Sequence, residues 1–227
     1  MSILYVNGDS HSAGAEAVNA YCFANDDPLY HGLGRIPHPD NERVSYGCLL
    51  ANSIGAVFHC DAESASSNDR MIRTTREYLT EYKPDVIVIG WSSWEREEWL
   101  HDGVYWQVNG APHGHDWPKE IQERHRQWVL DVDYNAKIKE SHDKIWEFHQ
   151  ELKDIPHLFF NAFSKFKWVD RRDWGNSYVE PYEDDYTFRN WLLAQGVNTV
   201  SDTSYHFGAD GHRKWADFLM PHLTKLL

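Results

Sequence analysis

The sequence predicts an α/β fold in which a parallel sheet of about five strands is covered by helices on both faces. Strand-like apolar runs and helix-like segments alternate along the chain. The clearest run, DVIVIG at residues 85–90, is rich in β-branched residues and nearly continuous in its hydrophobicity. Continuous rather than alternating apolar runs are typical of parallel strands that are buried on both faces.

The elements follow in a regular order. The expected strands are residues 2–7 (SILYVN), 56–61 (AVFHCD), 85–90 (DVIVIG), 157–163 (HLFFNAF) and 197–201 (VNTVS). The expected helices are residues 45–55, 119–131, 135–153 and 186–195, a helix over Met71–Tyr82 that stops before Pro84, and a last helix over Trp215–Leu226. No repeat or linker-like run interrupts the chain, so we expect a single domain over residues 1–227.

Two segments break the alternation, residues 21–44 and 101–118. Both are rich in Gly, Pro, His and Asp, and both follow the ends of expected strands. Long loops in a compact domain are usually functional or mobile. Ligands of open α/β sheets bind beyond the carboxyl ends of the strands. We therefore expect these two segments to form walls of a binding site.

Charge and composition exclude several classes of protein. The formal net charge of -13 repels phosphate backbones, so we expect no nucleic-acid partner. No stretch approaches the roughly 20 apolar residues that span a bilayer, and no signal peptide is apparent, so we expect no membrane association and a cytoplasmic protein beginning at Met1 or Ser2. Cys22, Cys48 and Cys60 lack C-x-x-C spacing and indicate reduced thiols. Neither a G-x-G-x-x-G after the first strand nor a P-loop is present, so no nucleotide cofactor is expected.

The first expected strand runs directly into NGDSHS, residues 7–12. One interpretation is that Asp9, Ser10 or Ser12 caps a helix, since all three residue types are good N-caps. The other is that Ser10 is a nucleophile, which requires a base for its proton and donors for an oxyanion.

The two ends of the chain favour the second interpretation. Gly8-Asp9-Ser10 after a first strand resembles the opening block of the SGNH (GDSL-type) hydrolases. Near the C-terminus, SDTSYHFGADGHRKWADFL resembles their closing block, in which an Asp precedes a catalytic His and a Gly-His pair follows; here His206 is followed by Gly211-His212. The resemblance spans the chain, with weaker middle blocks, and implies a three-layer α/β/α (flavodoxin-like) domain.

The resemblance also implies a chemistry. The chain is expected to be a serine esterase or acylhydrolase that cleaves an acyl or acetyl ester, of a small molecule or an O-acylated carbohydrate, through an acyl-enzyme. Ser10 would be the nucleophile, His206 the base and Asp202 the carboxylate that orients the imidazole. Asp202 lies four residues before His206, whereas in the family the Asp lies three residues before the His. The alternative interpretation is that Asp202 caps a turn. Neither a metal nor another cofactor is expected.

The middle blocks depart from the family in the residues that bind the oxyanion. In SASSNDRMIRTT, Ala65 takes the position of a Gly whose N–H donates, and Asn68 is either a site residue or a helix cap. After strand DVIVIG, Ser92 takes the position of a donating Asn. Either Ser92 or Ser93 replaces that donor, or the oxyanion hole has two donors only.

Three further features leave alternatives open. The run GWSSWER, residues 90–96, is similar to SGNH-like proteins of tailed phages, which adds a second candidate function: a catalytically weak binding or structural module, virion-associated if the chain is phage-encoded. Trp94 either faces the substrate or has a structural role. Arg96 either faces the substrate or pairs with Glu97 or Glu98. His113-Gly114-His115-Asp116 has metal-binding residue types, but without a helix or second cluster it does not predict a metal site.

Overall fold

The computed structural model describes residues 2–19, 37–110 and 117–227 of the chain. The strands are β1 (Ile3–Gly8), β2 (Val57–Cys60), β3 (Val86–Trp91), β4 (Glu97–His101), β5 (Val104–Val108) and β6 (His157–Asn161). The helices are α1 (Pro39–Glu42), α2 (Tyr46–Ile54), α3 (Asn68–Glu81), α4 (Lys119–Asp131), α5 (Tyr134–Glu151), α6 (Phe188–Ala194) and α7 (Ala209–Thr224). A single 3-10 turn spans Asp184–Tyr186.

The main sheet has four parallel strands in the order β2-β1-β3-β6. In the register, Val6 of β1 lies opposite Cys60 on one side and Val88 on the other, and Gly8 lies opposite Gly90. All four strands therefore end at one edge of the sheet. The predicted parallel α/β architecture is confirmed, and this edge is where a ligand site is expected.

The sheet lies between two layers of helices because successive side chains of a strand point to opposite faces. Leu4 and Val6 of β1 pack in a core cluster with α2, α6 and α7. Tyr5, between them, packs in a second cluster with α3 and α5. The sheet and its two helix layers form the three-layer arrangement.

No helix in the described part of the chain is long and apolar enough to cross a membrane.

The prediction of a strand at residues 197–201 is wrong. Within this segment only Thr199 forms a bridge, an antiparallel one with Phe207. The place beside β6 is taken instead by Tyr178, which forms a single parallel bridge with Phe159. Most of segment 197–201 is exposed, and of its two valines only Val197 packs against the core cluster of α2, α6 and α7, so the segment lacks the continuous burial of a central strand.

The prediction of a loop at residues 101–118 is also wrong for its first part. β4 and β5 form an antiparallel hairpin in which Trp99 lies opposite Trp106. The connection is Asp102-Gly103, with φ angles of 49° and 77°. Two successive residues with positive φ are typical of the two-residue turns that match the twist of a hairpin. Trp99 and Val108 form a small core of their own with Ile121 of α4.

Gly90, near the end of β3, allows β6 and the turns after β1 to pack closely against β3. A Cβ atom on this residue would lie 2.6 Å from the ring of Phe160 and 2.9 Å from the hydroxyl of Ser12. The Ser12 hydroxyl in turn accepts a hydrogen bond of 2.6 Å from the Tyr46 hydroxyl. The missing side chain therefore lets the turn after β1 sit close against the sheet.

We expect Gly90→Ala to lower the free energy of unfolding by about 1–3 kcal/mol, because Phe160 and Ser12 must both move to admit a methyl group. The matched control is Gly110→Ala, where the only described atom that the added carbon would meet is the Tyr134 hydroxyl at 3.5 Å. Urea titration followed by tryptophan fluorescence measures both changes. Equal stability of the two variants would contradict this explanation of Gly90.

Candidate active site

Ser10 lies in a series of turns directly after β1, where its backbone carbonyl accepts a hydrogen bond of 2.9 Å from the N–H of Ala15. No regular helix begins among the described residues up to 19, so the helix-cap interpretation does not hold. The hydroxyl and the backbone N–H of Ser10 make no hydrogen bond with any described residue. Ser12 differs, because its hydroxyl is held by Tyr46. Ser10 is therefore the serine that is available for chemistry.

The neighbouring Asp9 is completely buried and holds the ends of β1 and β3 together. Its Oδ2 accepts a hydrogen bond of 2.7 Å from the Ser92 hydroxyl and an ion-paired one of 3.1 Å from Arg96. Its Oδ1 accepts a hydrogen bond of 3.0 Å from the backbone N–H of His11. Burial raises the pKa of Asp9, but the neighbouring His11, the charge of Arg96 and these hydrogen bonds together more than offset it, so the pKa lies below its usual value.

This arrangement corrects the interpretation of Ser92 as an oxyanion donor. The Ser92 hydroxyl donates to Asp9 and accepts from Arg96 at 2.6 Å, so its proton is already used. The amide of Asn68 is used as well. It accepts from the backbone N–H of Ser92 at 2.8 Å and donates to the Ser92 carbonyl at 3.4 Å. Both predicted site residues serve to join β3 to the start of α3.

Trp94 belongs to the structure rather than to a substrate surface. Its side chain is buried and stacks on Phe166, with ring centroids 4.6 Å apart and planes at 20°. The expectation that Trp94 contacts substrate is therefore corrected. Ser93 is half-buried and its carbonyl accepts the N–H of Arg96, while its hydroxyl makes no hydrogen bond with the described residues. A role for Ser93 at the site stays a prediction.

Ala65 lies in the loop between β2 and α3 with a φ of 63°. This is the left-handed region that favours glycine, which explains why the related position in the resembled family is a Gly. The residue is half-buried, and its backbone N–H has no acceptor among the described residues. Ser67, not Asn68, caps α3 by accepting the N–H of Arg70. An N–H without an acceptor is what an oxyanion donor requires.

His206 is paired with a carboxylate that the sequence did not reveal. Its Nδ1 lies 2.5 Å from Oε2 of Glu16, which comes from the turns after β1. Ser204 supports the pair, since its hydroxyl donates to Glu16 at 2.5 Å and accepts the backbone N–H of His206 at 3.0 Å. An ionised carboxylate only accepts, so Nδ1 carries the proton and Nε2 is free to act as a base.

The assignment of Asp202 as the orienting carboxylate is corrected by this pair. Asp202 is exposed in a turn and makes no hydrogen bond with the described residues. Glu16, whose φ of 60° lies in the left-handed region, comes from the turns after β1 and takes the place expected for Asp202. Burial raises the pKa of Glu16, but hydrogen bonds from Ser204 and His206 more than offset it, so the pKa is lowered and the carboxylate is ionised at neutral pH.

His11 brings the two halves of the site together. Its ring is completely buried and contacts the ring of His206 edge-on, with centroids 5.3 Å apart. It also packs on Phe163 at 4.8 Å and on Phe188 at 5.0 Å. Burial lowers the pKa of His11 to about 4, so the ring is neutral at pH 7. Because His11 directly follows Ser10, this contact brings the chain segment that carries the serine close to His206.

Sequence reasoning missed Glu16, Ser204 and the contact made by His11. No spacing rule connects Glu16 to His206, which lies 190 residues later. Arg96 was expected to pair with Glu97 or Glu98 if it belonged to the structure; its partner is Asp9. Among residues 2–19, 37–110 and 117–227, no cluster of three or more His, Cys, Asp or Glu side chains is arranged to hold a metal ion. The His113–Asp116 segment lies outside the described residues.

Comparison with known proteins places the chain in a family. The model of DUF6071, a family of unknown function, matches residues 36–203, well over half of the chain. The chain therefore belongs to the DUF6071 family. No curated protein matches it.

Several solved structures are similar to the chain at low identity. A family-two carbohydrate esterase of Corynascus thermopiles (Myceliophthora fergusii) is 16% identical with a TM-score of 0.49, covering 99% of this chain and 66% of that one. A family-two carbohydrate esterase of Clostridium thermocellum is 12% identical, with a TM-score of 0.49 and coverages of 99% and 64%. A psychrotrophic esterase of Pseudoalteromonas sp. is 9% identical, with a TM-score of 0.49 and coverages of 99% and 98%. The chain thus spans about two thirds of the length of the two carbohydrate esterases, and no residue role is taken from any of the three.

We expect Arg96→Met to lower the free energy of unfolding by about 3–5 kcal/mol, because it leaves the buried carboxylate of Asp9 without its counter-charge. Adding Asp9→Asn to this variant should restore part of the loss. The control is Arg126→Met, whose ion pair with Glu123 is exposed and should contribute less than about 1 kcal/mol. Urea titration measures all three. An Arg96 variant as stable as the control would contradict the role given to Asp9.

Proposed function

We propose that this chain is a serine hydrolase that cleaves acyl esters, with Ser10 as nucleophile, His206 as general base and Glu16 as the carboxylate that orients the imidazole. The observation that carries the proposal is the 2.5 Å contact between Glu16 and Nδ1 of His206, near a serine whose hydroxyl makes no hydrogen bond with the described residues. A nucleophile, a base and an orienting group in this relation are the elements of a catalytic triad.

The chemistry proceeds in two halves. Glu16 holds the Nδ1 proton of His206, so Nε2 accepts the Ser10 proton while Oγ attacks the acyl carbonyl. The tetrahedral intermediate collapses when the imidazolium returns that proton to the leaving alcohol oxygen, and the acyl group stays on Ser10. Water then attacks the acyl-enzyme with His206 again as base, which releases the acid and regenerates the serine. Every proton is accounted for by these side chains and water.

The oxyanion hole that we propose consists of the backbone N–H groups of Ser10 and Ala65. Neither has an acceptor among the described residues. By contrast, the Ser92 hydroxyl is bonded to Asp9, and the Asn68 side chain is bonded to the backbone of Ser92. Removing one donor from an oxyanion hole typically lowers kcat by about a hundred- to a thousandfold. We therefore infer that turnover is modest unless the substrate or Ser93 supplies a further hydrogen bond.

The substrate class follows from the sequence resemblance. We propose an acyl or acetyl ester, of a small molecule or an O-acylated carbohydrate. Phe163 supports a small acyl group, because its half-buried ring lies against His11 at the rim of the site and supplies an apolar wall.

We expect Ser10→Ala to abolish hydrolysis of p-nitrophenyl acetate while the thermal unfolding temperature stays close to that of the wild type. The reason is that the Ser10 hydroxyl has no hydrogen bond within the described structure to lose. Initial rates and a melting curve on the same samples measure both quantities. The comparison variant is Ser12→Ala, which loses the Tyr46 contact and should be less stable yet still active. Activity that survives in the Ser10 variant and disappears in the Ser12 variant would show that the wrong serine is assigned.

We expect Glu16→Gln to lower kcat by a hundredfold or more with little change in KM, since the amide no longer fixes the tautomer of His206 (about ten-thousandfold is known for a buried orienting Asp). Asp202→Asn is the matched control, and its activity should equal that of the wild type because the side chain is exposed. Steady-state kinetics with a short-chain ester distinguishes the two. A large loss in the Asp202 variant, with none in the Glu16 variant, would reverse the assignment.

A further inference from the structure

Arg189 is an unusual cation for this chain. The half-buried arginines Arg70, Arg73, Arg96 and Arg172 each have an acidic partner. Arg189 is also half-buried, but its guanidinium has neither a carboxylate partner nor a hydrogen bond within the described residues. In a protein with a net charge of -13, acidic partners are abundant. A partly desolvated cation without one therefore needs an explanation.

The position of Arg189 connects it to the candidate active site. Its backbone N–H donates to the carbonyl of Ala162 at 3.1 Å, which fixes it at the carboxyl edge of the sheet. The preceding residue, Phe188, packs its ring on that of His11 at 5.0 Å. The guanidinium is also close enough to contribute to the lowered pKa of His11, the residue after Ser10. Arg189 thus stands on the same rim as the nucleophile.

Tyr205 completes this part of the rim. Cζ of Arg189 lies 5.9 Å from the centroid of the Tyr205 ring, within the range of a cation–π contact. The Tyr205 side chain is 65% exposed although it lies between two site residues, Ser204 and His206. The side chains of Ser204 and His206, on either side of it in the chain, both contact Glu16, whereas the Tyr205 ring faces solvent. Arg189 and Tyr205 together form a cationic and aromatic wall that the hydrolytic chemistry itself does not use.

We propose that Arg189, backed by Tyr205, binds a carboxylate group of the substrate, so that the preferred esters carry a negative charge. A guanidinium presents two parallel N–H donors that match the two oxygens of a carboxylate. The aromatic ring beside it keeps the fork in place and shields it partly from water. This inference rests on the proposed function for the identity of the scissile bond, but the binding of the anion does not depend on turnover.

The first experiment measures preference with matched pairs of esters. One pair places the charge on the acyl half, p-nitrophenyl hemisuccinate against p-nitrophenyl valerate. The other places it on the alcohol half, para-acetoxybenzoate against its methyl ester. In at least one pair we expect Arg189→Met to lower the ratio of kcat/KM for the charged over the neutral ester by about ten- to a hundredfold, mainly through KM. Arg189→Lys should retain part of the preference.

The control is Arg213→Met, which removes an exposed arginine of α7 that also lacks an acidic partner. Its ratio should equal that of the wild type, which separates local recognition from the change in net charge. A ratio that Arg189→Met leaves unchanged in both pairs would overturn the proposal, as would an equal fall in the Arg213 variant.

A second experiment separates this inference from the proposed function. The Ser10→Ala variant is titrated calorimetrically with monomethyl succinate and with para-acetoxybenzoate. We expect binding of at least one of them to weaken about ten- to a hundredfold when Arg189→Met is added. That result would support the anion site even if the wild type hydrolyses no ester. Hydrolysis of neutral esters, combined with anion binding that does not depend on Arg189, would leave the hydrolase proposal standing and refute this one.

Discussion

The buried carboxylate of Asp9 determines which polar groups at the rim of the sheet remain available. A charge that is removed from water must be paired and hydrogen-bonded. Asp9 obtains both from the segment that follows β3, through the hydroxyl of Ser92 and the guanidinium of Arg96. This ties the exits of β1 and β3 together. It also uses the donors of Ser92 and Arg96, whereas the hydroxyl of Ser10 makes no hydrogen bond with the described residues.

The fold was predictable where burial alone decides the structure. β3 and β6 are covered on both faces, and their apolar runs reveal them without any knowledge of the neighbours. The failures have local physical causes. Segment 197–201 has strand-like composition but is mostly exposed, with only Val197 packed against the core. The hairpin of β4 and β5 has a sequence signal, Asp102-Gly103 between two aromatic-rich runs, that the loop prediction did not take into account.

The candidate site was predictable only for residues that lie within short sequence motifs. Ser10 and His206 belong to compact terminal blocks, and the structure brings them to one rim. Glu16 could not be found in this way, because its partner His206 lies 190 residues later and only the folded chain brings the two together. Ser92 was predicted to be an oxyanion donor from its position relative to a motif. The motif does not indicate that Asp9 is buried and charged, and Ser92 donates its hydroxyl proton to Asp9 instead.

The central claim is that Ser10 is activated by the paired imidazole of His206. A fluorophosphonate probe tests it directly, because the serine oxygen displaces fluoride from phosphorus only when a base takes its proton and donors stabilise the charge. Peptide mass spectrometry of the labelled chain should find one adduct, on Ser10, that is absent from a denatured sample and from a His206→Ala variant. An intact chain that remains unlabelled at Ser10, under conditions that fully label an unrelated serine esterase, would contradict the account.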